Sequence, residues 1–180
     1  FNDPYVWNYL DQPATLPHAS HIYWMPLPSI LVGISESIFG VSYRAAQIPF
    51  ILLSALLPLI SFSVAWRISS SRRGAWIAAL LTIFSGFYLP YWGVPESFAP
   101  FAVFGSLALY LSADRSARRL LLAGMCAGLA HLSRADGVLL LIPIFINAVC
   151  GVRSTEFSAP HSALRIRNFG AILFGYFVIM

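Results

Sequence analysis

Long apolar stretches separated by short polar segments dominate the chain from residue 43 onward. A helix needs about 20 mostly apolar residues to cross a membrane, and several windows approach or exceed that length. The pattern predicts an all-α, polytopic transmembrane helical bundle of about six spans, at residues 43–66, 75–92, 97–112, 118–133 and 135–150, with a last one beginning near Asn168. The polar segment Ser133 to Gly137 separates the short spans at 118–133 and 135–150.

Residues 27–40 show a different, amphipathic pattern. One predicted helical face is apolar and holds Leu27, Ile30, Leu31, Ile34 and Ile38. The opposite face carries small or polar residues, namely Ser29, Gly33, Glu36, Ser37 and Gly40. An apolar face that recurs every 3.6 residues, opposite a polar face, is typical of a helix lying in the membrane interface. We therefore predict that residues 1–42 form an outer loop with an interfacial helix. A short, tilted span stays open as the alternative.

Arginine distribution predicts the orientation of these spans. Three loops are rich in arginine, at residues 67–73, 114–119 and 153–167, and the predicted spans place all three on one side. Loops rich in Lys and Arg face the cytoplasm. The 93–96 turn, the 133–137 segment and residues 1–42 then face outward. A span at residues 27–40 would break this agreement.

Composition supports a membrane protein and excludes a soluble one. The chain is 58% hydrophobic and 10% charged, whereas soluble domains carry about 25% charged residues. Residues 1–180 are expected to form part of a single transmembrane domain. The chain begins with Phe1 and stops within an apolar run, so we expect a fragment of a longer protein with its last span truncated. Neither a phosphate-binding glycine loop nor a Cys- or His-based metal motif is present, and no nucleic-acid partner is predicted.

Residue types suited to chemistry gather on the predicted outer side. The proline-rich N-terminal segment carries Asp3, His18 and His21 among aromatic residues, and Glu96 lies between two apolar spans. An acidic residue at a membrane boundary is a functional hypothesis by default. A solvated turn residue is the alternative for Glu96, and membrane anchoring is the alternative for the aromatic residues.

Two arginines depart from the orientation rule. Arg134 lies on the arginine-poor side, where it is suited to gripping a phosphate, or where it simply pairs with Asp136. Arg44, near the start of the first span, is suited to a lipid phosphate or to snorkelling toward the interface. The spacing of Gly124 and Gly128 predicts close helix packing.

The order of these motifs resembles a known family. An acid in the first outer loop precedes the Trp24–Pro28 stretch, then FGVSYRAA at 39–46, the boundary acid Glu96 and GMCAGLAHLSRADG at 124–137. This order resembles the polyprenyl-phosphate-sugar glycosyltransferases of the GT-C superfamily, whose relatives include protein O-mannosyltransferases and the aminoarabinose transferases of lipid A. The resemblance covers nearly the whole chain.

The resemblance implies a multi-pass membrane enzyme, here expected in a prokaryotic cell membrane, with its active face away from the cytoplasm. It implies a polyprenyl-phosphate-linked sugar donor and a glycan, lipid or protein acceptor, with membrane lipids around the protein. Asp3 matches the first-loop acid and is the expected general base. Glu96 matches a later acid, and Arg134 matches a basic residue that would bind the phosphate.

This chain departs from the family pattern in the first loop. Relatives often carry two adjacent acids there, whereas Asp3 is followed by Pro4; a required second acid would be Asp11, Glu36 or Glu96. His18 and His21 stand where relatives carry a basic residue, for substrate binding or a metal. Some relatives use a divalent metal ion and others do not, so no cofactor is assigned.

Two other function classes remain open. A multi-spanning transporter or flippase of a lipid-linked or anionic substrate is the first alternative. Transporters usually show inverted repeats and polar groups at the bilayer midplane, whereas the polar residues here cluster at one edge and no repeat is visible. A non-catalytic membrane scaffold is the second, in which Asp3 and Glu96 would be dispensable.

Overall fold

Helices account for every regular element that the structure describes. The computed structural model describes residues 25–85, 91, 93–114, 116–152 and 161–180, and no strand occurs among them. The elements in chain order are α1 (Leu27–Phe39), α2 (Tyr43–Ser69), α3 (Arg72–Ile83), α4 (Phe98–Ser112), α5 (Ala117–Ser133), a 3₁₀ helix (Ala135–Leu140), α6 (Leu141–Val152) and α7 (His161–Ile179). The predicted all-α class is confirmed.

Serine residues set the starts of three helices. The hydroxyls of Ser42, Ser71 and Ser116 accept hydrogen bonds from backbone N–H groups in the first turns of α2, α3 and α5, at 3.1–3.3 Å. Such caps satisfy N–H groups that have no partner within the helix. After α2, Ser70 adopts a left-handed conformation with φ of 51°. These local signals produce the sharp reversals between antiparallel neighbours.

The helices differ in extent from the predicted spans at three places. The helix expected at 75–92 is α3, which ends at Ile83, and residues 93–97 form turns. The segment 135–150 opens with six residues of 3₁₀ helix before α6, and α7 begins at His161 rather than near Asn168. Apolar composition alone shows where a segment is buried in lipid or protein, but it does not distinguish a helix from the turn that follows.

Small residues fill the interior, and large apolar residues cover the outside. About half of the buried hydrophobic residues in the described chain are alanines, including Ala75, Ala108 and Ala127 at 0% exposure. In contrast, Leu52, Leu59 and many similar side chains are exposed. Helices that associate within lipid pack through small residues, because burying a large apolar side chain gains little when the surroundings are already apolar. This distribution is therefore typical of a membrane bundle.

Helices α5 and α7 cross in close backbone contact. A Cβ added to Gly124 would collide with the Ile172 carbonyl oxygen, and one added to Gly175 would collide with the Leu121 carbonyl oxygen. A Cβ on Gly128 would meet Ile179. The predicted role of Gly124 and Gly128 in close helix packing is confirmed, and Gly175 supplies the matching surface on α7.

We expect Gly175→Ala to destabilise the protein and Gly170→Ala to leave it unchanged or slightly more stable. The added methyl at 175 forces α5 and α7 apart, at about 1–3 kcal/mol for overpacking. Gly170 lies on the same helix, and nothing lies within 4 Å of the position that an alanine methyl would take there, so alanine gains up to about 1 kcal/mol of helix propensity. Thermal melting of both variants in detergent tests this, and equal melting temperatures would contradict the close crossing.

Helix α1 docks on α2 through a carbonyl that a proline leaves unpaired. Pro49 has no N–H, so it cannot donate to the Ala45 carbonyl one turn earlier. The buried Ser35 hydroxyl of α1 donates to that carbonyl at 2.6 Å. Val32 of α1 packs beside it in a cluster with Phe50.

The predicted apolar face of α1 is divided between two environments. Leu27 is buried against the bundle, whereas Ile30, Ile34 and Ile38 are 43–68% exposed. The extent of the helix, Leu27–Phe39, agrees with the prediction of 27–40. Its outward isoleucine stripe is the surface that an interfacial helix needs.

Length and composition alone select one described helix as able to cross a membrane. This is α2, Tyr43–Ser69, whose 27 residues extend about 40 Å. Four shorter apolar helical segments accompany it, at Leu27–Phe39, Phe98–Ser112, Ala135–Ala148 and Ile166–Ile179.

Candidate active site

Antiparallel packing gives the bundle two chemically different ends. What we call the Glu96 end is where α2 and α4 begin and where α5 ends. What we call the arginine-rich end is where α2 and α4 end and where α3 and α5 begin. At the Glu96 end, the Gln47 side-chain amide donates to the Gly93 carbonyl at 3.0 Å. At the other end, the Arg67 guanidinium lies 5.5 Å from the centre of the Tyr110 ring. These contacts tie α2 to the two ends of α4.

Arg134 occupies a defined position at the Glu96 end. Helix α5 stops at Ser133, and Arg134 is extended, with φ of −151° and ψ of 139°. Its guanidinium lies over two rings of α4, 5.3 Å from the Phe98 centroid and 5.6 Å from that of Phe101. A cation over aromatic rings gains about 0.5–2 kcal/mol. The stacking holds the guanidinium plane and leaves its N–H edge available for hydrogen bonds.

Asp136 pairs with Arg134 but holds it weakly. The Nη2 atom of Arg134 lies 3.2 Å from Oδ2 of Asp136, and both side chains are substantially exposed, at 32% and 52%. The backbone N–H of Asp136 donates a hydrogen bond to the Asp136 carboxylate, and this bond is the main cause that holds the carboxyl pKa below its usual value. The Arg134 guanidinium lowers the same pKa to a smaller extent. Exposed ion pairs are worth about 0–1 kcal/mol. An anionic ligand with better geometry can therefore replace Asp136 as the partner of Arg134.

Glu96 lies in the turn that leads into α4. Its backbone N–H donates to the Val94 carbonyl at 2.7 Å, and its side chain is half-buried. Two residues later comes Phe98, the ring on which Arg134 stacks. Among the described residues, no ion pair involves the Glu96 carboxylate. The structure thus brings Glu96 and Arg134 to one end of the bundle without joining them.

The remaining predicted site residues divide into two groups. Arg44 lies in the first turn of α2, exposed, at the Glu96 end. Asp3, His18 and His21 lie outside the described residues. No group of three or more metal-ligating side chains occurs within the described part of the chain.

Sequence reasoning missed a polar pair near Arg134. Nδ1 of His131, in the last turn of α5, is hydrogen-bonded to the Tyr176 hydroxyl of α7, and the two rings stack at 5.9 Å. Gly137 packs closely against the end of α5, because a Cβ there would collide with the His131 backbone. A polar residue one turn before Arg134, on an apolar helix, was the available signal. The pair fixes α7 against the segment that carries Arg134.

Comparison with known proteins identifies one family. The family model described as dolichyl-phosphate-mannose-protein mannosyltransferase matches residues 18–177. No curated protein and no solved structure matches the chain significantly.

Proposed function

The chain belongs to the dolichyl-phosphate-mannose-protein mannosyltransferase family, of the GT-C glycosyltransferase superfamily, and on that premise we propose a specific activity. The family consists of membrane glycosyltransferases that use a polyprenyl-phosphate sugar donor. We propose that this protein moves a sugar from such a carrier to a glycan, lipid or protein acceptor at the non-cytoplasmic face. The family match over residues 18–177 is the observation that carries the proposal.

The two ends of the bundle support the proposed orientation. The arginine-rich end carries Arg67 in the last turn of α2, Arg72 and Arg73 at the start of α3, and Arg118 and Arg119 at the start of α5. By the positive-inside rule that end faces the cytoplasm. The Glu96 end then faces outward, together with Arg134. In the proposed multi-pass arrangement α2 to α7 cross the membrane and α1 lies in the outer interface with its isoleucine stripe in lipid.

The proposed chemistry is an inverting displacement at the anomeric carbon. Asp3 removes the proton from the acceptor hydroxyl, and that oxygen forms a bond to the sugar C1. The bond between C1 and the phosphate oxygen breaks, and polyprenyl phosphate leaves with an additional negative charge. Arg134 stabilises that charge through its N–H groups, since a fixed cation lowers the energy of a developing anion.

Four other residues have supporting roles in the proposal. Glu96, the second acid, orients the acceptor by accepting a hydrogen bond from one of its hydroxyl groups. His18 and His21 bind the substrate in place of the basic residue that relatives carry, and the proposal leaves a divalent metal there open. Arg44 lies where it reaches the phosphate region of the outer leaflet.

A transfer assay in membranes tests the proposed activity. Membranes containing the protein are given radiolabelled polyprenyl-phosphate mannose, glucose or aminoarabinose, and the label is followed from lipid to acceptor. We expect transfer with at least one donor and none with membranes lacking the protein. Absence of transfer with every donor would reject the enzyme and favour the transporter or scaffold alternatives.

We expect Glu96→Gln to reduce transfer by about 10- to 100-fold. The carboxylate's hydrogen bond to an acceptor hydroxyl is worth about 1.5–3 kcal/mol, and the neutral amide loses most of it. The effect should appear in the KM of the acceptor, not that of the donor. Glu36→Gln, which changes the half-buried acid of α1, is the matched control. If Glu36→Gln alone impairs transfer, Glu36 is the second acid instead.

A further inference from the structure

An apolar groove runs between α2, α3 and α4 in the half of the bundle nearest the arginine-rich end. Its volume is about 1110 Å3, and most of its lining is aliphatic, with Ile60, Val64, Leu81 and Leu109 among the lining residues. The Thr82 hydroxyl donates to Ser61 Oγ at 2.7 Å, which satisfies two of the few polar groups in the lining. The groove is thus suited to an unbranched apolar chain.

A smaller pocket of a different character lies beside the groove. This basic pocket, of about 570 Å3, is lined by Arg67, Arg72 and Arg119 together with aromatic side chains, and none of the acidic residues that the structure describes lines it. Arg67 and Tyr110 line both cavities, so the basic pocket lies directly beside the apolar groove.

The arginines of the basic pocket are positioned but incompletely neutralised. The Arg67 guanidinium stacks over Tyr110. Arg119 pairs at 2.5 Å with Asp114, a residue that does not line the pocket. Arg72 opens α3, where it adds a third guanidinium. An anion with several acceptor oxygens, such as a phosphate diester, suits this arrangement of guanidinium groups.

Aromatic residues indicate the depth of the basic pocket. Trp66 and Tyr110 line it, and the Phe62 ring contacts those of Trp66 and Trp76, with centroids 6.1 and 5.1 Å apart. Trp and Tyr concentrate at the level of the lipid headgroups. The basic pocket is therefore at headgroup depth and the apolar groove at acyl-chain depth.

We propose that this composite site binds an anionic phospholipid of the cytoplasmic leaflet. The phosphate lies between Arg67 and Arg72, and one acyl chain follows the groove past Leu81. A packed helix would fill the groove but would give the Arg67 and Arg72 guanidiniums no anion, so the lipid accounts for both parts. The site is at the opposite end from Glu96 and Arg134; it rests on the proposed membrane orientation but not on the transfer reaction.

Lipid binding by the purified protein in detergent tests the site. Native mass spectrometry with added dioleoylphosphatidylglycerol or dioleoylphosphatidylcholine measures the affinity for each. We expect at least tenfold preference for the anionic lipid. The R67Q/R72Q double variant should bind the anionic lipid about 30-fold more weakly, because each arginine near the membrane surface contributes about fivefold in affinity. R73Q, which changes a neighbouring arginine outside the pocket lining, should stay within twofold of the unaltered protein.

Variants in the groove test the acyl chain independently of charge. L81W narrows the groove at an exposed lining residue, whereas L80W adds the same bulk at an exposed residue outside the lining. We expect several-fold weaker binding for L81W only. R67K/R72K, which keeps the charge, should retain part of the affinity and controls for misfolding.

Several outcomes would overturn the proposal. One is equal affinity for the two lipids, and another is a loss of affinity in R73Q as large as that in R67Q/R72Q. The others are that no lipid binds because another segment fills the groove, or that inorganic phosphate alone displaces the lipid. R67Q/R72Q should keep its sugar transfer, so failure of the lipid site and failure of the proposed enzyme are separately visible.

Discussion

Asp3→Asn is expected to lose transfer activity by about 10²- to 10⁴-fold, the contribution typical of a general base. Asparagine keeps the size of the side chain and its hydrogen-bonding oxygen, but it does not accept the proton of the acceptor hydroxyl. Donor binding should persist, because the lost group acts on the acceptor. The measurement is lipid-to-acceptor transfer at matched protein levels, with donor binding measured separately.

Asp11→Asn is the matched control for the base. Asp11 is the next acid in the same N-terminal segment, and its substitution should leave most of the activity. Transfer that survives in Asp3→Asn would remove Asp3 from the mechanism. If it then fails in Asp11→Asn, the base is eight residues further along the chain.

Arg134→Gln is expected to lower the rate of transfer by about 10²- to 10³-fold, as removal of one preorganised charge-stabilising donor does. The position of the guanidinium over Phe98 and Phe101 supports this expectation. Arg134→Lys should recover only part of the rate, since an ammonium supplies charge without the planar, bidentate edge. The rate with saturating donor is the quantity to compare.

Asp136→Asn separates the proposed role of Arg134 from a structural one. If the Arg134–Asp136 pair only holds the turn after α5, then Arg134→Gln and Asp136→Asn will lower the melting temperature and the activity alike. If Arg134 binds phosphate, Asp136→Asn will keep its activity, because the exposed ion pair contributes little. Similar losses of activity in both variants would contradict the proposed role.

The helical class and the end-to-end arrangement could be predicted because they depend on long-range averages. Apolar runs and arginine-rich loops each sum over several residues, and they placed Glu96 and Arg134 at one end of the bundle. The glycine spacing at Gly124 and Gly128 was equally readable, since only a close partner requires it. The partner surface on α7 was not, because Gly175 stands alone among bulky residues.

What could not be predicted depends on single contacts between distant residues. The His131–Tyr176 hydrogen bond joins residues 45 positions apart, and nothing local to either residue specifies the other. The stacking of Arg134 on Phe98 and Phe101 is of the same kind. The end of α3 at Ile83 was missed because the next residue, Phe84, is also apolar, so apolar composition alone does not mark where the helix ends.

Pro49, one of the two prolines within α2, also has an evolutionary consequence. Because the Ala45 carbonyl is released by Pro49 and satisfied by Ser35, the serine and the proline are useful only together. A lineage that replaces Pro49 restores the backbone donor, and the Ser35 hydroxyl is then no longer needed to satisfy the Ala45 carbonyl. A lineage that replaces Ser35 first strands a buried carbonyl. We therefore expect substitutions at these two positions to be found paired across related genes.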